Sequence, residues 1–218
     1  MSGVFLKTVN LEKSFLNKVI FRNVNLDLKS GDSLAVTGRN GSGKSTLLKV
    51  LANLMKPNKG KVVVSDDSGD VPPEKIHLYF GMIAPYLNLY DELTALENLE
   101  FFYDLKCNDR PASDKKEHLK HLLNRINLYN RRNDEVKNFS SGMKQRVKLA
   151  FAIINSPKIL LMDEPRTNLD VEGIDLVYKI AEEHTANGIL ILATNEPDDT
   201  KLCRDIISIE NYKAEVQK

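Results

Sequence analysis

Hydrophobic and polar positions divide the chain into short apolar runs and stretches with helical spacing. The runs that predict β-strands are Val4–Val9, Val24–Leu28, Leu34–Thr37, Lys61–Val64, Leu78–Ile83, Ile159–Met162, Ile189–Thr194 and Ile206–Ile209. Several runs are almost continuously apolar, which is typical of strands covered on both faces of a parallel sheet. The early runs contain more alternating polar residues and predict an antiparallel sheet at one edge. The pattern therefore indicates an α/β fold.

Between these runs, apolar residues recur three and four positions apart. The predicted helices are Ser45–Met55, Thr94–Leu105, Leu119–Ile126 and Val147–Ile154. Thr94 and Glu97 form a capping-box pattern, because each side chain can accept a hydrogen bond from the other residue's backbone amide. The segment Ser65–Lys75 is rich in Asp, Gly and Pro, and it predicts a surface loop.

Most of the predicted helices lie in one part of the chain, between residues 86 and 154. We expect one domain over residues 1–218, in which an α/β core of residues 1–85 and 155–218 carries a helical subdomain of residues 86–154. Hydrophobic residues make up 42% and charged residues 28% of the 218 residues, so the chain can bury a substantial core.

Charge and hydropathy exclude several classes of protein. The 31 Lys and Arg residues and the 30 Asp and Glu residues give a net charge of +1, which argues against binding nucleic acid through bulk positive charge. No apolar run approaches the ~20 residues that a membrane span needs, and the N-terminal segment lacks a signal-peptide core. We expect a cytoplasmic protein that meets a membrane only through a partner, with Cys107 and Cys203 as reduced thiols.

The most specific motif is a glycine-rich loop between a predicted strand and a predicted helix. It fits the pattern GxxxxGK[ST] and consists of Gly38, Arg39, Asn40, Gly41, Ser42, Gly43, Lys44, Ser45 and Thr46. The glycines let successive backbone N–H groups point at one phosphate, and the helix N-terminus adds its dipole. We expect Lys44 to reach the β- and γ-phosphates, Ser45 to bind Mg²⁺ and Thr46 to contact the α-phosphate. The loop predicts nucleotide binding and leaves kinases, GTPases and ATPases open.

An acidic pair, Asp163 and Glu164, follows the apolar run Ile159–Met162. Ligands of open α/β sheets bind beside the carboxyl ends of parallel strands. Asp163 is therefore placed to hold Mg²⁺, directly or through water, and Glu164 is placed to polarise an attacking water. The pair favours hydrolysis of the nucleotide over transfer of its phosphate.

A third motif lies between the loop and the acidic pair, at the start of the helix around Val147. It consists of Phe139, Ser140, Ser141, Gly142 and Met143. Here the chain resembles the ATP-binding cassette (ABC) family, whose signature is LSGGQ followed by a basic helix. Ser140 and Gly142 match the signature, whereas Ser141 and Met143 replace a glycine and the glutamine. The segment 168–170 stands in the place of the family's D-loop, so the resemblance covers nearly the whole chain.

The resemblance implies a phosphate-loop ATPase fold with a mostly parallel core sheet, an antiparallel edge sheet and an inserted helical subdomain. It also implies that ATP and Mg²⁺ bind, and that two cassettes pack head to tail around two ATP molecules. Ser140, Ser141 and Gly142 would then face the γ-phosphate held by the second cassette, from a helix N-terminus. By position, Phe15 resembles the aromatic that stacks on adenine, and Asp170 resembles the D-loop acid that links the two sites.

The chain departs from the family pattern after the run Leu78–Ile83, where the family has a glutamine that senses Mg²⁺ and the membrane partner. Pro85 stands there instead and offers neither a side-chain amide nor a backbone N–H. Asn88 is a candidate substitute. The segment around Tyr86–Thr94 still resembles the family's partner-contacting loop.

A second departure follows the run Ile189–Thr194, where the family usually has a switch histidine. Asn195 can donate one hydrogen bond but cannot carry a proton near neutral pH. We therefore expect slow hydrolysis in which Glu164 does most of the work. Arg166 replaces a residue that is often threonine, and it is expected to pair with a phosphate or with Asp170.

These features favour an ATP-binding and ATP-hydrolysing subunit of an ABC transporter on the cytoplasmic face of the membrane. Its expected partners are separately encoded integral membrane permease subunits and a second cassette, identical or different. The alternatives are a non-transport ATP switch on nucleic acid or ribosomes, a degenerate ATPase that acts mainly by binding ATP, and a small-molecule kinase. Lys144, Arg146 and Lys148 would form the basic face for nucleic acid, but the net charge gives this no support, and no nucleic acid is expected.

Overall fold

The computed structural model describes residues 3–16, 18–107 and 111–213. The strands of this part of the chain are β1 (Val4–Phe15), β2 (Lys18–Val24), β3 (Asp27–Lys29), β4 (Ser33–Thr37), β5 (Lys59–Asp66), β6 (Gly69–Asp70), β7 (Phe80–Ile83), β8 (Ile159–Asp163), β9 (Ile189–Thr194) and β10 (Asp205–Ser208). The α-helices are α1 (Lys44–Leu51), α2 (Ile76–Tyr79), α3 (Ala95–Lys106), α4 (Ala112–Arg125), α5 (Ser141–Ile153) and α6 (Val171–Thr185). Short 3₁₀ turns connect several of these elements.

A parallel sheet with the strand order β10-β4-β9-β8-β7 forms the centre of the fold. Thr37 at the end of β4 pairs with Thr194 at the end of β9, and Asp163 at the end of β8 pairs with Ala193. The segments that follow these three strands therefore leave the sheet at one edge. Ligands of open α/β sheets bind at this kind of edge.

Apolar layers cover both faces of the parallel sheet, as the continuous apolar runs predict. Along β8, Ile159 and Leu161 pack in the layer that contains α1 and the second sheet, whereas Leu160 and Met162 face the layer that contains α3 to α6. This alternation has the period of two that a strand imposes. The second sheet is antiparallel, with the order β2-β1-β5-β6 and with β3 also paired to β1. The prediction of an antiparallel edge sheet is thus confirmed.

The predicted strand Val24–Leu28 is wrong, because the chain leaves the sheet in its middle. β2 ends at Val24 and β3 begins at Asp27. The Thr8 hydroxyl donates to the Val24 carbonyl oxygen at 3.0 Å and accepts from the Leu26 amide at 2.7 Å. A side chain on the neighbouring strand thus takes over the hydrogen bonds of the sheet at this break.

The predicted strand Leu78–Ile83 is correct only in its second half. Its first residues belong to the one-turn helix α2, and β7 begins at Phe80. The Asn155 side-chain amide donates to the Leu78 carbonyl oxygen at 2.8 Å, so a distant polar side chain helps to satisfy the backbone there. α1 likewise ends before its predicted limit of Met55, because Asn53 adopts a left-handed backbone with φ of 58°.

Within the described ranges, β6, α6 and most of β2 lie where the apolar pattern predicts no element. β6 pairs with β5 inside the predicted loop Ser65–Lys75, with Asp66 opposite Gly69. α6 begins after Asp170, whose carboxylate accepts a hydrogen bond from the backbone amide of Gly173. Its buried apolar side chains are Val177, Ile180 and Ala181. In the described part of the chain, every helix is too short or too polar to traverse a lipid bilayer.

β7 lies so close to α5 that only a glycine fits at one position. A Cβ added to Gly81 would lie 1.9 Å from the Ala152 carbonyl oxygen and 2.7 Å from Pro157 Cγ. We expect Gly81→Ala to lower the free energy of unfolding by about 2 kcal/mol, because the helix or the strand has to move. Urea unfolding measures this change.

Gly3→Ala is the matched control, because a Cβ there would make an ordinary contact of 3.7 Å with the Phe5 ring. It should unfold at the wild-type urea midpoint. A Gly81→Ala protein with the same midpoint would show that the close approach of β7 and α5 does not constrain this position.

Candidate nucleotide-binding site

The glycine-rich loop joins β4 to α1 at the carboxyl edge of the parallel sheet. Gly38 and Gly43 have φ of 146° and 115°, values that side-chain-bearing residues rarely adopt. A Cβ at Gly43 would also lie 2.4 Å from Ile20 Cγ2, so the β1–β2 hairpin packs directly on the loop. The curled backbone that the motif predicts therefore depends on glycine at these positions.

Lys44 lies across this loop, with only 5% of the residue exposed. Its Nζ donates to the Gly38 carbonyl oxygen at 2.8 Å and lies 3.1 Å from Oε1 of Glu164. The ammonium group thus connects the glycine-rich loop with the acidic pair, which is more than 100 residues away in the chain. A triphosphate in the loop would meet this positive charge together with the N-terminus of α1.

Two buried side chains of the site have unsatisfied oxygen atoms in the structure. Ser42 Oγ and Asp163 Oδ1 are both buried without a hydrogen-bond partner. Burial raises the pKa of Asp163, and a hydrogen bond from Ser45 opposes this shift. An unsatisfied carboxylate oxygen beside a hydroxyl is a donor set that suits Mg²⁺, and an unsatisfied hydroxyl can donate to a phosphate oxygen.

Glu164 adopts a left-handed backbone, with φ of 47°, although it is not a glycine. Its amide donates to the Ala193 carbonyl oxygen at 2.8 Å, so the residue remains attached to β9 after β8 has ended. A conformation of this kind costs free energy and is often found at functional sites. In this conformation, the Glu164 carboxylate lies in contact with the Lys44 ammonium.

Asn195 follows β9 directly and is exposed. Its side-chain amide donates to Oδ1 of Asn40 in the glycine-rich loop, at 3.4 Å. A cavity of about 510 Å³ lies at this place and is lined by Asn195, Asn40, Glu164 and Pro85, among other residues. Pro85, at the position where the resemblance implies a glutamine, therefore lines the same cavity as Glu164. Asn88 is exposed and lies outside this lining, which does not support it as a substitute.

A sequence model of the ABC transporter family matches residues 21–167, which is more than half of the chain. The chain belongs to the ABC transporter family. It is 34% identical over 223 residues to the uncharacterized ABC transporter ATP-binding protein YdbJ of Bacillus subtilis (strain 168), covering 99% of this chain and 70% of that protein. It is 33% identical over 196 residues to the arginine transport ATP-binding protein ArtM of the same organism, covering 88% of this chain and 81% of that protein.

Solved structures agree with this assignment. A dimeric ATP-binding cassette in a post-hydrolysis state, bound to ADP and Pi, matches with a TM-score of 0.83, 25% identity and 96% coverage of each chain. An ATP-binding subunit of an ABC transporter matches with a TM-score of 0.84, 25% identity and coverage of 97% of this chain and 88% of that chain. The predicted phosphate-loop ABC ATPase fold is confirmed. The chain is thus an ATP-binding ATPase subunit of an ABC transporter, and the non-transport alternative is not favoured.

The segment that resembles the signature of the family lies at the N-terminus of α5. Ser140 caps this helix, and its Oγ accepts from the Met143 amide at 3.2 Å. Ser140 and Ser141 are exposed, and Gly142 lies so close to the chain after the acidic pair that an added Cβ would be 3.1 Å from the Asn168 carbonyl oxygen. The signature and the D-loop segment are thus neighbours on the surface of one subunit.

Phe15 ends β1, and 44% of the residue is exposed. The Lys13 ammonium lies 5.0 Å from the centre of its ring. The other strand of this hairpin carries Ile20, which packs against Gly43 of the glycine-rich loop. An exposed aromatic ring on a hairpin that touches the loop is a better candidate for stacking on a base than for a place in the core.

Of the two partners expected for Arg166, a phosphate and Asp170, the second is wrong. Asp170 Oδ1 accepts from Nη2 of Arg146 in α5 at 3.0 Å and from the Gly173 amide at 2.9 Å. Both hydrogen bonds lower the pKa of Asp170, and the bond from the Gly173 amide has the larger effect. Arg166 instead lies against the segment after β9, where its Nη1 is 3.6 Å from Oδ1 of Asp199.

The sequence reasoning missed Asp199, which is only 1% exposed although it lies in a polar segment. It accepts hydrogen bonds from the Thr194 hydroxyl at 2.7 Å and from the Tyr178 hydroxyl at 2.8 Å. Burial, followed by this hydrogen bond, raises the pKa of Tyr178 to about 12, so its hydroxyl remains a donor at neutral pH. No apolar periodicity or motif marks Asp199, because its burial depends on Tyr178 and Arg166 as well as on nearby Thr194.

Proposed function

We propose that this ABC subunit binds the phosphates of ATP in the glycine-rich loop and hydrolyses ATP with Glu164 as the carboxylate that polarises water. The contact of 3.1 Å between Lys44 Nζ and Glu164 Oε1 carries this proposal, because it brings the phosphate-binding cation and the acid to one point. The proposed phosphate-binding residues are Gly38, Arg39, Asn40, Gly41, Ser42, Gly43, Lys44, Ser45 and Thr46. Phe15 is proposed to stack on the adenine.

We further propose that Ser45 and Asp163 hold Mg²⁺ together with the phosphates. The unsatisfied Oδ1 of Asp163 and the Ser45 hydroxyl beside it support this assignment. Bound Mg²⁺ would supply positive charge that neutralises the phosphate oxygens. The Ser45 side chain begins in the first turn of α1, and this rigid helix fixes its position relative to the loop.

The second half of each ATP site is proposed to come from another cassette, identical or different. The N-terminus of α5 supports this proposal, because Ser140 and Ser141 are exposed there and, like Gly142, lie outside the lining of the cavity beside Glu164. Asp170 is proposed to link the two sites from the N-terminus of α6. We also propose that a helical subdomain of residues 86–154 is inserted into a core of residues 1–85 and 155–218. The packing of α3, α4 and α5 on one side of the sheet supports this division.

Glu164→Gln should trap a dimer that contains ATP, because nucleotide still binds while cleavage stops. Shared ATP contributes to the stability of the dimer until it is hydrolysed. With ATP and Mg²⁺, size-exclusion chromatography should show the variant as a dimer, whereas the wild type returns to monomer as ATP is consumed. Phosphate release should fall at least about a hundredfold.

Lys44→Ala, alone and combined with Glu164→Gln, is the control for nucleotide binding and should remain monomeric. Lys61→Ala removes an exposed lysine on β5 and should behave like the wild type. If Glu164→Gln stays monomeric at saturating ATP, the homodimeric arrangement is wrong. Co-expression with a second cassette from the same cells then tests a heterodimer.

We also propose that hydrolysis is slow, because the cavity holds Asn195 and Pro85 where the family has histidine and glutamine. The Asn195 amide is engaged with Asn40 at 3.4 Å and cannot exchange a proton near neutral pH. Asn195→His should therefore raise kcat, by up to about tenfold, with little change in ATP affinity. Steady-state phosphate release with purified dimers measures this difference.

Asn195→Ala is the matched control, because it removes the amide without adding a titratable group. It should hydrolyse ATP no faster than the wild type. Equal kcat values for the wild type and Asn195→His would show that this position does not limit hydrolysis.

The permease subunits are proposed to bind along α3, and the ABC subunit is proposed to lie on the cytoplasmic face of the membrane. Tyr90 and Phe101 are 47% and 41% exposed, and their rings meet edge to face at 5.1 Å. Leu105 extends this apolar surface by one further turn of the helix. Tyr90 belongs to the segment that resembles the partner-contacting loop of the family. Exposed apolar patches of this kind are typical of protein interfaces.

Phe101→Glu should abolish co-purification with a membrane protein of several spans from detergent-solubilised membranes, because a carboxylate cannot be buried there without a partner. Phe5→Glu is the matched control, since Phe5 is 43% exposed on the antiparallel sheet. If both variants, or neither, lose the permease, this surface is not the specific contact. The basal ATPase activity of both variants should remain that of the wild type.

A further inference from the structure

The cavity beside Glu164 and Asn195 has a basic residue in its wall, Arg166. Arg166 Nη1 is buried without a hydrogen-bond acceptor, and it lies 3.6 Å from Asp199 Oδ1 and 3.9 Å from Asp198 Oδ2. A carboxylate that is taken out of water needs positive charge or hydrogen-bond donors nearby. In the described chain, Arg166 is the basic residue that pairs with buried Asp199.

Asp199 also fixes the turn that carries Asn195. The Thr194 hydroxyl donates to Asp199 Oδ2 at 2.7 Å and accepts from the Glu196 amide at 3.0 Å. Asn195 lies between Thr194 and Glu196 in the chain. The Thr194 hydroxyl therefore restrains the backbone on both sides of Asn195. The position of the Asn195 amide over the glycine-rich loop therefore depends on where Asp199 is held.

Three elements hold this carboxylate. Tyr178 from α6 and Thr194 from β9 donate hydrogen bonds to it, and Arg166, two residues after Glu164, supplies the charge. Arg166 thereby connects the segment that carries the acid with the segment that carries Asn195. Both segments face the same cavity from different strands of the parallel sheet.

We propose that Arg166 is a positioning residue for ATP hydrolysis, which acts through Asp199 and Thr194 to hold Asn195 opposite Glu164. This inference rests on the proposed roles of Glu164 and Asn195 in the same site. Arg166 touches neither the attacking water nor the phosphate in this arrangement. It sets the distance between Glu164 and Asn195, which are proposed to contact the water and the phosphate.

The first test compares Arg166→Gln, Arg166→Lys and the wild type. Arg166→Gln should lower kcat about tenfold and leave the dissociation constant of a fluorescent ATP analogue unchanged, because the phosphate-binding loop is intact. Arg166→Lys should restore part of kcat, since it keeps the charge but not the planar guanidinium. Lys201→Gln is the matched control, because Lys201 pairs with the adjacent Asp198 on the surface, at 2.6 Å. It should have wild-type kcat.

The second test asks whether Arg166 acts through the carboxylate. Combining Arg166→Gln with Asp199→Asn should lower kcat no further than the more damaging single change, since residues of one network are not additive. Losses of kcat that multiply would show that Arg166 and Asp199 act independently and would overturn the proposal. Weakened ATP binding with unchanged kcat in Arg166→Gln would indicate a direct phosphate ligand and would overturn it as well.

Thr194→Val provides a test that does not depend on the folding of the Arg166 variants. It keeps the shape of a buried strand residue and removes the hydroxyl that joins Asp199 to the Asn195 turn. Its kcat should fall as in Arg166→Gln, and wild-type kcat would overturn the proposal. If the wild type itself releases no phosphate, the proposed function fails, whereas an active wild type with an equally active Arg166→Gln contradicts only this inference.

Discussion

The pairing of β9 with β4 on one side and β8 on the other determines where every part of the candidate site can lie. Thr37 is opposite Thr194, and Asp163 is opposite Ala193, so three segments from distant parts of the sequence leave the sheet at one edge. A shift of this register by one residue would turn the apolar side chains of a strand to the opposite face. Because both faces of the sheet are buried in apolar layers, such a shift is strongly disfavoured. The packing of the core thereby fixes the geometry of the site.

The buried ammonium of Lys44 follows from this arrangement. An almost fully buried cation needs an anion or several acceptors, and the sheet edge provides the Gly38 carbonyl oxygen and the Glu164 carboxylate. The same edge holds the unsatisfied oxygen of Asp163. A site with one buried cation and two carboxylates suits a ligand that brings both phosphate oxygens and a divalent cation. The proposal of ATP with Mg²⁺ therefore agrees with the charges of the residues themselves.

The sequence pattern predicts the parts of the fold that depend on local residues. The apolar runs of β4, β8 and β9 and the glycine-rich loop are found where the pattern predicts them, because burial on both faces and positive φ leave direct marks in the sequence. At the break around Leu26, the Thr8 hydroxyl of another strand accepts a hydrogen bond from the backbone. In α2, the Asn155 side-chain amide donates a hydrogen bond to the Leu78 carbonyl oxygen. Such contacts join residues that are distant in the chain, so no local pattern contains them.

The same distinction separates the predicted from the missed residues of the site. Asp163 and Glu164 stand at the end of an apolar run, whereas Asp199 stands in a polar turn and is buried only because Thr194, Tyr178 and Arg166 converge on it. Arg166 stands out in the sequence as an unusual residue, but its partner Asp199 comes from a segment more than 30 residues further along the chain.

The departures from the family pattern meet in one cavity, and this limits the chemistry that remains possible there. Asn195 cannot carry a proton near neutral pH, and Pro85 offers no side-chain donor or acceptor. Arg166 in the same wall carries a guanidinium group, which supplies positive charge and hydrogen-bond donors but no acceptor. Among the described residues that line this cavity close to Lys44, Glu164 is thus the group in contact with the phosphate-binding cation that can exchange a proton. Glu196 and Asp199 also line this cavity, but Glu164 is the carboxylate that lies 3.1 Å from Lys44 Nζ, so the proposed hydrolysis takes its base from Glu164, and Asn195, Pro85 and Arg166 act through position and charge.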